Sequence, residues 1–228
     1  MIVLGFDTAT PRTAVALQLS ADEPPREAAH DPEPGHRPGH ATHLLPLAAA
    51  LLGDAGARFA DVGLIGVGVG PGTFTGVRIG VATARALAQA GDSALTGVGT
   101  LRALAEGVPA RDVLAVVDAR RGEAFVAGYR DGTEVLAPAA LGPAALEGLA
   151  PPEGGRAWLA AGDGAIRFRD ALERAGATVL PDIDPAHRIS AAAICRLARA
   201  AGPATRDDVL PVYVRAPDAT EPRRGGAG

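Results

Sequence analysis

A glycine-rich loop is the stretch of this sequence whose residue types are best suited to chemistry. It follows an apolar run over residues 64–69, reads Gly-Pro-Gly-Thr-Phe-Thr-Gly over residues 70–76, and gives way to a helical pattern from Val77. A strand, a glycine loop and a helix in that order point backbone N–H groups outward, where anions bind. With the acid that ends the first predicted strand, the candidate nucleotide contacts are Asp7, Gly70, Gly72 and Thr73.

The loop nevertheless matches none of the standard nucleotide motifs. The P-loop motif requires a lysine, and the chain contains none. The dinucleotide motif G-x-G-x-x-G fails as well, because Thr73 and Thr75 stand where its last glycine would be. G-x-S-x-G and H-E-x-x-H are also absent. Two interpretations of the loop stay open: it binds an anion, or its glycines only permit positive φ and close packing.

Two other groups of polar residues could hold a ligand. Asp7 follows a predicted strand over residues 2–6, and it could bind phosphate or a metal-bound water. We favour an Asx-turn, in which the carboxylate accepts hydrogen bonds from nearby backbone N–H groups. The spacing of His36, His40 and His43 resembles a zinc-ligand pattern, but no cysteine is near and proline and glycine interrupt the segment. A solvated run of histidines is the preferred interpretation, and no metal site is predicted.

Composition and charge narrow the class of protein. The chain has 228 residues, of which 47% are hydrophobic, so one large domain or two small ones can form a core. No apolar run is long enough for a membrane span, the N-terminus lacks a basic leader, and a single Cys195 suits a reducing compartment. We therefore expect a cytoplasmic protein. A net charge of −4 with scattered arginines disfavours a direct tRNA-binding module.

The order of predicted elements occurs twice. Strand, aspartate, turn and strand run over residues 2–19 and again over 113–129, whereas strand, glycine loop, helix and strand run over 64–95 and 158–180. Duplication of an α/β unit is the simplest explanation. We expect a first lobe over residues 1–107 and a smaller second lobe over 108–228 that ends in a disordered tail.

Smaller elements complete the prediction. Residues 21–39 and 131–157 are predicted as loops, the second with one short helix. A helix is expected over residues 40–52, with Pro46 in or near its first turn, because proline deeper inside breaks a helix. A last helix is expected to begin at Ala191 with Ser190 as its cap.

Small residues recur every fourth position in the helix after the glycine loop. Gly76, Gly80, Ala84 and Ala88 form one stripe on that helix, and such a stripe lets another backbone approach closely. It could pack on the chain's own sheet or against a partner helix. Arg78 and Arg85 share a different face and could border such an interface.

Five segments together resemble one family. They read FDTATPRTAVAL, HATHLLPLAAALL, GVGPGTFTGVRIGVATARALA, VVDARRGEAFVAGY and PVYVR. This set resembles the TsaB (YeaZ) family of tRNA threonylcarbamoyladenosine biosynthesis proteins, mostly over residues 1–129. The resemblance implies a fold of the actin-like, sugar kinase and Hsp70 (ribonuclease H-like) class with two related lobes. It also implies a TsaD-like catalytic partner and a TsaE-like ATPase, which together transfer threonylcarbamoyl to N6 of the adenosine beside the anticodon.

The resemblance also implies what this chain lacks. TsaD-like proteins carry a His-x3-His metal pair just after the helix that follows the glycine motif. Thr100 and Leu104 occupy those places here, and residues 97–104 contain no His, Asp or Glu. We therefore expect a non-catalytic scaffold with no catalytic residue and no tightly bound cofactor. A contact with ATP or ADP is left open at the interface shared with partner subunits.

The same resemblance places the partner surface on two helices. Without its partners the chain is expected to form a homodimer through this surface, and tRNA is expected to bind only to the complex. The alternative is an independent ATP- or metal-dependent enzyme of the same fold, a kinase or a metallopeptidase. The residues expected at the partner interface are His40, His43, Leu44, Leu47, Gly76, Arg78, Gly80 and Ala84.

Overall fold

Two five-stranded sheets organise the computed structural model, which describes residues 1–33, 35–151, 154 and 156–215. The predicted disordered tail over residues 221–228 lies outside these residues. The first sheet contains β1 (Ile2–Asp7), β2 (Thr13–Gln18), β3 (Arg26–His30), β4 (Val62–Gly68) and β5 (Ala94–Val98). The second contains β6 (Asp112–Arg120), β7 (Glu123–Arg130), β8 (Thr133–Leu141), β9 (Leu159–Ala161) and β10 (Thr178–Val179).

Both sheets have the same topology. The first has the order β3-β2-β1-β4-β5, and the second has the order β8-β7-β6-β9-β10. Counted along the chain within each sheet, the first three strands pair antiparallel to one another. The fourth strand runs parallel to the first, and the fifth runs parallel to the fourth. The predicted duplication of an α/β unit is therefore confirmed.

Seven helices cover the faces of these sheets within the described residues. They are α1 (His40–Asp54), α2 (Phe74–Gly91), α3 (Thr100–Glu106), α4 (Pro143–Glu147), α5 (Asp163–Arg167), α6 (Arg169–Arg174) and α7 (Ala191–Ala201). Helices α1 and α2 pack on the outer face of the first sheet, and α4 to α6 lie in the outer layer of the second. None of the described helices is both long and apolar enough to cross a membrane.

The two halves of the chain share a central core. Helix α7 comes from the second half but packs on β1, β2 and β4 of the first sheet, and α3 packs on β6 and β7 of the second. Side chains from both sheets meet around these two helices in one apolar cluster. The expected division at residue 107 falls between the sheets, yet it does not separate two independently packed units.

Several local predictions need correction. β3 and β8, both predicted as loops, are edge strands whose largely exposed residues give no clear alternating pattern. The helix predicted within the repeat over residues 158–180 is interrupted at Phe168. Pro46 lies well inside α1 rather than in its first turn, on the solvent-exposed side of the helix. The short helix predicted within 131–157 is α4, and α7 begins at Ala191 as predicted.

A side chain from β3 caps α7 instead of the predicted Ser190. The Glu27 carboxylate accepts hydrogen bonds from Ala191 N at 3.1 Å and Ala192 N at 3.2 Å, and the Ser190 hydroxyl donates to the same carboxylate at 2.7 Å. An acid at a helix N-terminus satisfies orphan N–H groups and complements the helix dipole.

We expect Glu27→Ala to lower the free energy of unfolding by about 1–2 kcal/mol, the usual cost of losing an N-cap. Urea denaturation followed by circular dichroism measures this change. Glu23→Ala removes a nearby exposed acid and serves as the control. Equal stability of the two variants would show that the Glu27 cap contributes nothing.

Candidate functional site

The glycine loop packs tightly against the turn between β1 and β2. Thr73 N donates to Ala9 O at 2.7 Å, and the Thr8 hydroxyl donates to Gly76 O at 2.7 Å. A Cβ at Gly76 would lie 2.0 Å from Thr8 O, and one at Gly72 would lie 2.3 Å from Ala9 O. Close packing of two backbone segments therefore requires these glycines.

Asp7 is buried beneath the loop and bound by the protein itself. Its carboxylate accepts hydrogen bonds from Ala9 N at 2.7 Å and from the Thr100 hydroxyl at 2.8 Å. The Thr100 oxygen also accepts one from Gly70 N at 3.2 Å, so it joins the acid to the loop. Burial raises the pKa of Asp7, and the hydrogen bond from Thr100 opposes that rise.

Asp7 has two candidate roles, an Asx-turn and a contact with a bound nucleotide. The bond from Ala9 N is the local contact of the Asx-turn interpretation. The N–H groups of Gly70 and Thr73 likewise bind groups of this chain. A nucleotide contact at Asp7, Gly70, Gly72 and Thr73 stays a prediction, and it requires these internal bonds to be exchanged for bonds to the ligand.

The second lobe repeats this arrangement with a different chemistry. Asp118 lies near the end of β6. Its carboxylate accepts a hydrogen bond from Arg120 N at 2.9 Å and forms an ion pair with Arg167 at 2.9 Å. Asp163, the first residue of α5, accepts a hydrogen bond from Asp118 N at 3.0 Å. Burial raises the pKa of Asp163. The sequence did not single out Asp163 or Arg167, although the Gly-Asp-Gly of residues 162–164 matches the glycine loop in order.

A cleft of about 260 Å³ lies between the lobes. Thr10 and Arg12 line it from the first lobe, and Asp163 and Arg188 line it from the second half of the chain. A cleft between two such lobes is the ordinary place for a small ligand. The candidate loop residues Gly70, Gly72 and Thr73 do not line this cleft.

The three histidines with zinc-like spacing have different neighbours. His40 is buried, with Nδ1 2.8 Å from the Thr13 hydroxyl oxygen. The His43 ring stacks on the ring of His30, and exposed His36 lies 3.7 Å from Glu33. Among the residues that the structure describes, no three His, Cys, Asp or Glu side chains are placed to hold a metal ion.

The small-residue stripe of α2 faces the chain's own sheet. Gly76, Gly80 and Ala84 are buried, and a Cβ at Gly80 would lie 2.5 Å from the Thr8 hydroxyl oxygen. On α1, His40 and Leu44 are also buried, 4% and 2% exposed. These five residues therefore pack against β1, β2 and β4 of their own chain, and their contact with a partner, which would require the helices to move, stays a prediction.

Other residues form the exposed face of the same two helices, which touch each other. Six of them are alanines, and the large apolar residue of α1 among them, Leu45, is 45% exposed. Of the predicted interface residues, His43 and Leu47 are partly exposed and Arg78 is exposed. We call this surface the α1/α2 face. Its exposed members include Ala41, Leu45, Ala49 and Ala50 on α1 and Thr75, Arg78, Ala82, Ala86 and Ala90 on α2.

An aromatic cluster borders the α1/α2 face. The Arg78 guanidinium lies 3.6 Å from the centre of the Phe74 ring, and its Nε donates to the Tyr213 hydroxyl at 2.9 Å. Phe74 and Tyr213 are 44% and 42% exposed. Exposed aromatic and arginine side chains are enriched at protein interfaces. Sequence reasoning missed both aromatics, although each lies within a segment that carries the resemblance.

Comparisons with known proteins agree with this architecture. The family model described as TsaD, tRNA N6-adenosine threonylcarbamoyltransferase, matches residues 32–204. YeaZ from Pseudomonas aeruginosa has a solved structure with 30% identity and a TM-score of 0.74, covering 93% of this chain and 99% of that one. The chain belongs to the TsaD family, in its TsaB (YeaZ) branch. Its fold is the actin-like, sugar kinase class, as the resemblance implied.

Sequence relatives place the chain in the same branch. An uncharacterised protein of Mycobacterium tuberculosis is 33% identical over 217 residues, which cover 95% of this chain and 93% of that protein. The tRNA threonylcarbamoyladenosine biosynthesis protein TsaB of Escherichia coli is 35% identical over 140 residues. That match covers 57% of this chain and 55% of the E. coli protein.

Proposed function

We propose that this chain is a non-catalytic subunit required for tRNA threonylcarbamoylation, in a complex with a TsaD-like catalytic subunit and a TsaE-like ATPase. The observation that carries the proposal is the environment of Thr100 and Leu104. The resemblance aligns these two residues with the metal-binding histidines of TsaD-like proteins. Here Thr100 is fully buried and binds Asp7, and Leu104 lies in the central core. Neither a threonine nor a leucine side chain supplies the imidazole nitrogen that binds a metal, which supports a role other than catalysis.

The α1/α2 face supports the role of binding a partner. Two adjacent helices with alanines outward allow the close approach of helices from another chain. Two helices on each side would form a four-helix contact, with Phe74, Arg78 and Tyr213 at its edge. The same face would join two copies when the partner is missing, since a two-fold dimer needs only one self-complementary patch. The complex would act in the cytoplasm, with tRNA bound to the assembly rather than to this chain alone.

Reconstitution tests this function. Purified TsaD-like and TsaE-like subunits, the threonylcarbamoyl-adenylate synthase and substrate tRNA are incubated with and without the chain, and modified adenosine is measured by mass spectrometry. We expect product only when the chain is present. Full activity without it would contradict the proposal. A gel shift of tRNA by the chain alone at physiological salt would contradict the absence of direct tRNA binding.

The alternative of an independent ATP- or metal-dependent enzyme is favoured by one observation, the cleft between the lobes. A related P. aeruginosa structure is also described as similar to the peptidase YeaZ. Titration of the isolated chain with ATP-Mg²⁺ and with zinc separates the two functions. Tight binding with turnover would support the independent enzyme. Binding of ATP without turnover, lost in Thr73→Ala, would support a nucleotide contact at the glycine loop within the scaffold.

A further inference from the structure

Two buried histidine nitrogens without hydrogen-bond partners lie near the first turn of α1. Four buried side-chain atoms without partners occur in the described part of the chain: Thr10 Oγ1, Arg12 Nε, His30 Nδ1 and His40 Nε2. His30 and His40 are close together because Thr13 pairs with His30 across β2 and β3 and contacts His40 on the helix. Thr10 and Arg12 line the cleft between the lobes. A buried polar atom that has lost water without gaining a partner destabilises the arrangement that buries it.

Three imidazoles lie in this corner of the molecule. The rings of His30 and His43 are nearly parallel, 12° apart, with their centres separated by 3.6 Å. His40 holds the Thr13 hydroxyl through Nδ1, and its other nitrogen is buried. Burial and the neighbouring His30 lower the pKa of His40. The closed structure thus suits neutral rings, because two protonated rings in the stack would repel at short range.

The charged groups around the rings do not offset the positive charge that protonation of an imidazole would add. Arg12, on the turn after β1, forms an ion pair with Asp31. In the loop before α1, His36 lies close to the carboxylate of Glu33. Arg37 adds a further exposed cation in that loop. Among the described residues no ion pair with a carboxylate is found for the three stacked or buried rings. The first turn of α1 contains no acid and its N-cap, Gly39, has no side chain, so a cation there opposes the helix dipole.

We propose that protonation of His40, whose Nε2 is buried without a partner, opens the N-terminal turn of α1, which makes this turn a proton-sensitive latch at the edge of the α1/α2 face. The open turn binds protons more readily than the closed one, because the closed turn disfavours imidazolium. The closed turn is therefore stable above the ordinary histidine pKa of 6.5 and opens as the pH falls below it. Any consequence for partner binding rests on the proposed function.

Amide hydrogen exchange of the full chain tests the latch at about pH 7.5 and about pH 5.5. Protection factors, corrected for intrinsic exchange, are compared between α1 and α2. We expect the amides of Leu44 and Leu45 to lose protection at least about tenfold on acidification. The amides of Ala84 and Ala88 should keep theirs. An equal loss in both helices, or no loss in α1, would overturn the proposal.

Matched variants assign the effect to His40. His40→Gln remains neutral, so it is expected to remove the acid-dependent loss of protection in α1. His30→Gln removes the neighbouring ring that helps to lower the pKa of His40, so it is expected to reduce that loss. His36→Gln is the control, because His36 is exposed and pairs with Glu33. If His40→Gln fails to fold, His30→Gln decides. An undiminished loss in that variant, equal to the loss in His36→Gln, would overturn the latch.

Partner capture provides a separate readout. If α1 opens at low pH but capture of the TsaD-like subunit is unchanged, the latch stands and the first turn of α1 is not part of the partner face. If capture falls at low pH in the native chain but not in His40→Gln, the latch controls the proposed interface. The exchange measurement uses the chain alone, so it decides the latch independently of the proposed function.

Discussion

Replacing Ala82 by arginine is expected to abolish stable binding of the TsaD-like subunit and to leave the fold unchanged. Ala82 lies exposed on α2, near the middle of the α1/α2 face. A long charged side chain there prevents close helix packing and would be buried without a partner. We expect binding to weaken at least about 100-fold, which corresponds to about 2.7 kcal/mol. Arginine is a good helix former, so the thermal midpoint should change little.

Calorimetric titration against the TsaD-like subunit measures this effect, and reconstituted tRNA modification should fall with it. Ala144→Arg makes the same exchange on α4, which lies in the outer layer of the second lobe, and serves as the control. Native affinity in Ala82→Arg would remove the α1/α2 face from the interface. Equal loss in both variants would point to a nonspecific effect of the added charge.

Replacing Gly76 by alanine is expected to produce the largest loss of stability among single-methyl additions in the glycine loop and α2. The added Cβ would lie 2.0 Å from Thr8 O, a backbone atom held by the β1–β2 turn. It would also lie 2.5 Å from the Thr73 hydroxyl oxygen that caps α2. Relief requires α2 to move off the sheet, so we expect a loss of about 3 kcal/mol or more in the free energy of unfolding.

Gly53→Ala provides the matched control for this prediction. Gly53 lies in α1, and a Cβ built there meets no atom within 4 Å. Alanine in a helix interior is expected to stabilise the protein by about 0.5–1 kcal/mol. Denaturant unfolding of both variants therefore gives changes of opposite sign. If Gly76→Ala unfolds at the native denaturant concentration, the contact between α2 and the β1–β2 turn is not as close as described.

These two predictions also replace the expectation drawn from the stripe of small residues. A bulky residue at Gly80 or Ala84 cannot test partner binding, because both positions are buried against the first sheet. Loss of binding in such variants would follow from unfolding. Exposed Ala82 and Ala86, on the opposite side of α2, can test the interface without disturbing the core.

The sequence by itself determined the order of the elements and the duplication. Continuous apolar runs such as residues 64–69 must be buried on both faces, and a glycine loop must separate such a strand from its helix. These are local requirements that the residues carry with them. They fix which buried segments form strands, where α7 begins, and the absence of the standard nucleotide motifs, whereas α2 begins at Phe74, three residues before the helical pattern that starts at Val77.

The edge strands β3 and β8 could not be predicted from the sequence, and the reason is physical. The residues of β3 are exposed or only partly buried and include no large apolar side chain, so their hydrophobic pattern is weak. Pairing with β2 forms the strand, and the pairing depends on a neighbour elsewhere in the chain. The cap of α7 has the same origin, because Glu27 lies more than 160 residues before the helix it caps.

The direction of the small-residue stripe was decided by tertiary structure alone. Glycines and alanines at every fourth position permit close approach of any backbone, so their spacing is equally suited to an internal sheet and to a partner helix. The turn at Thr8 occupies that space, and Asp7 is closed off beneath it through Thr100. Only the packed chain could show that the stripe is buried and that Ala82 and Leu45 lie on the exposed face of the two helices.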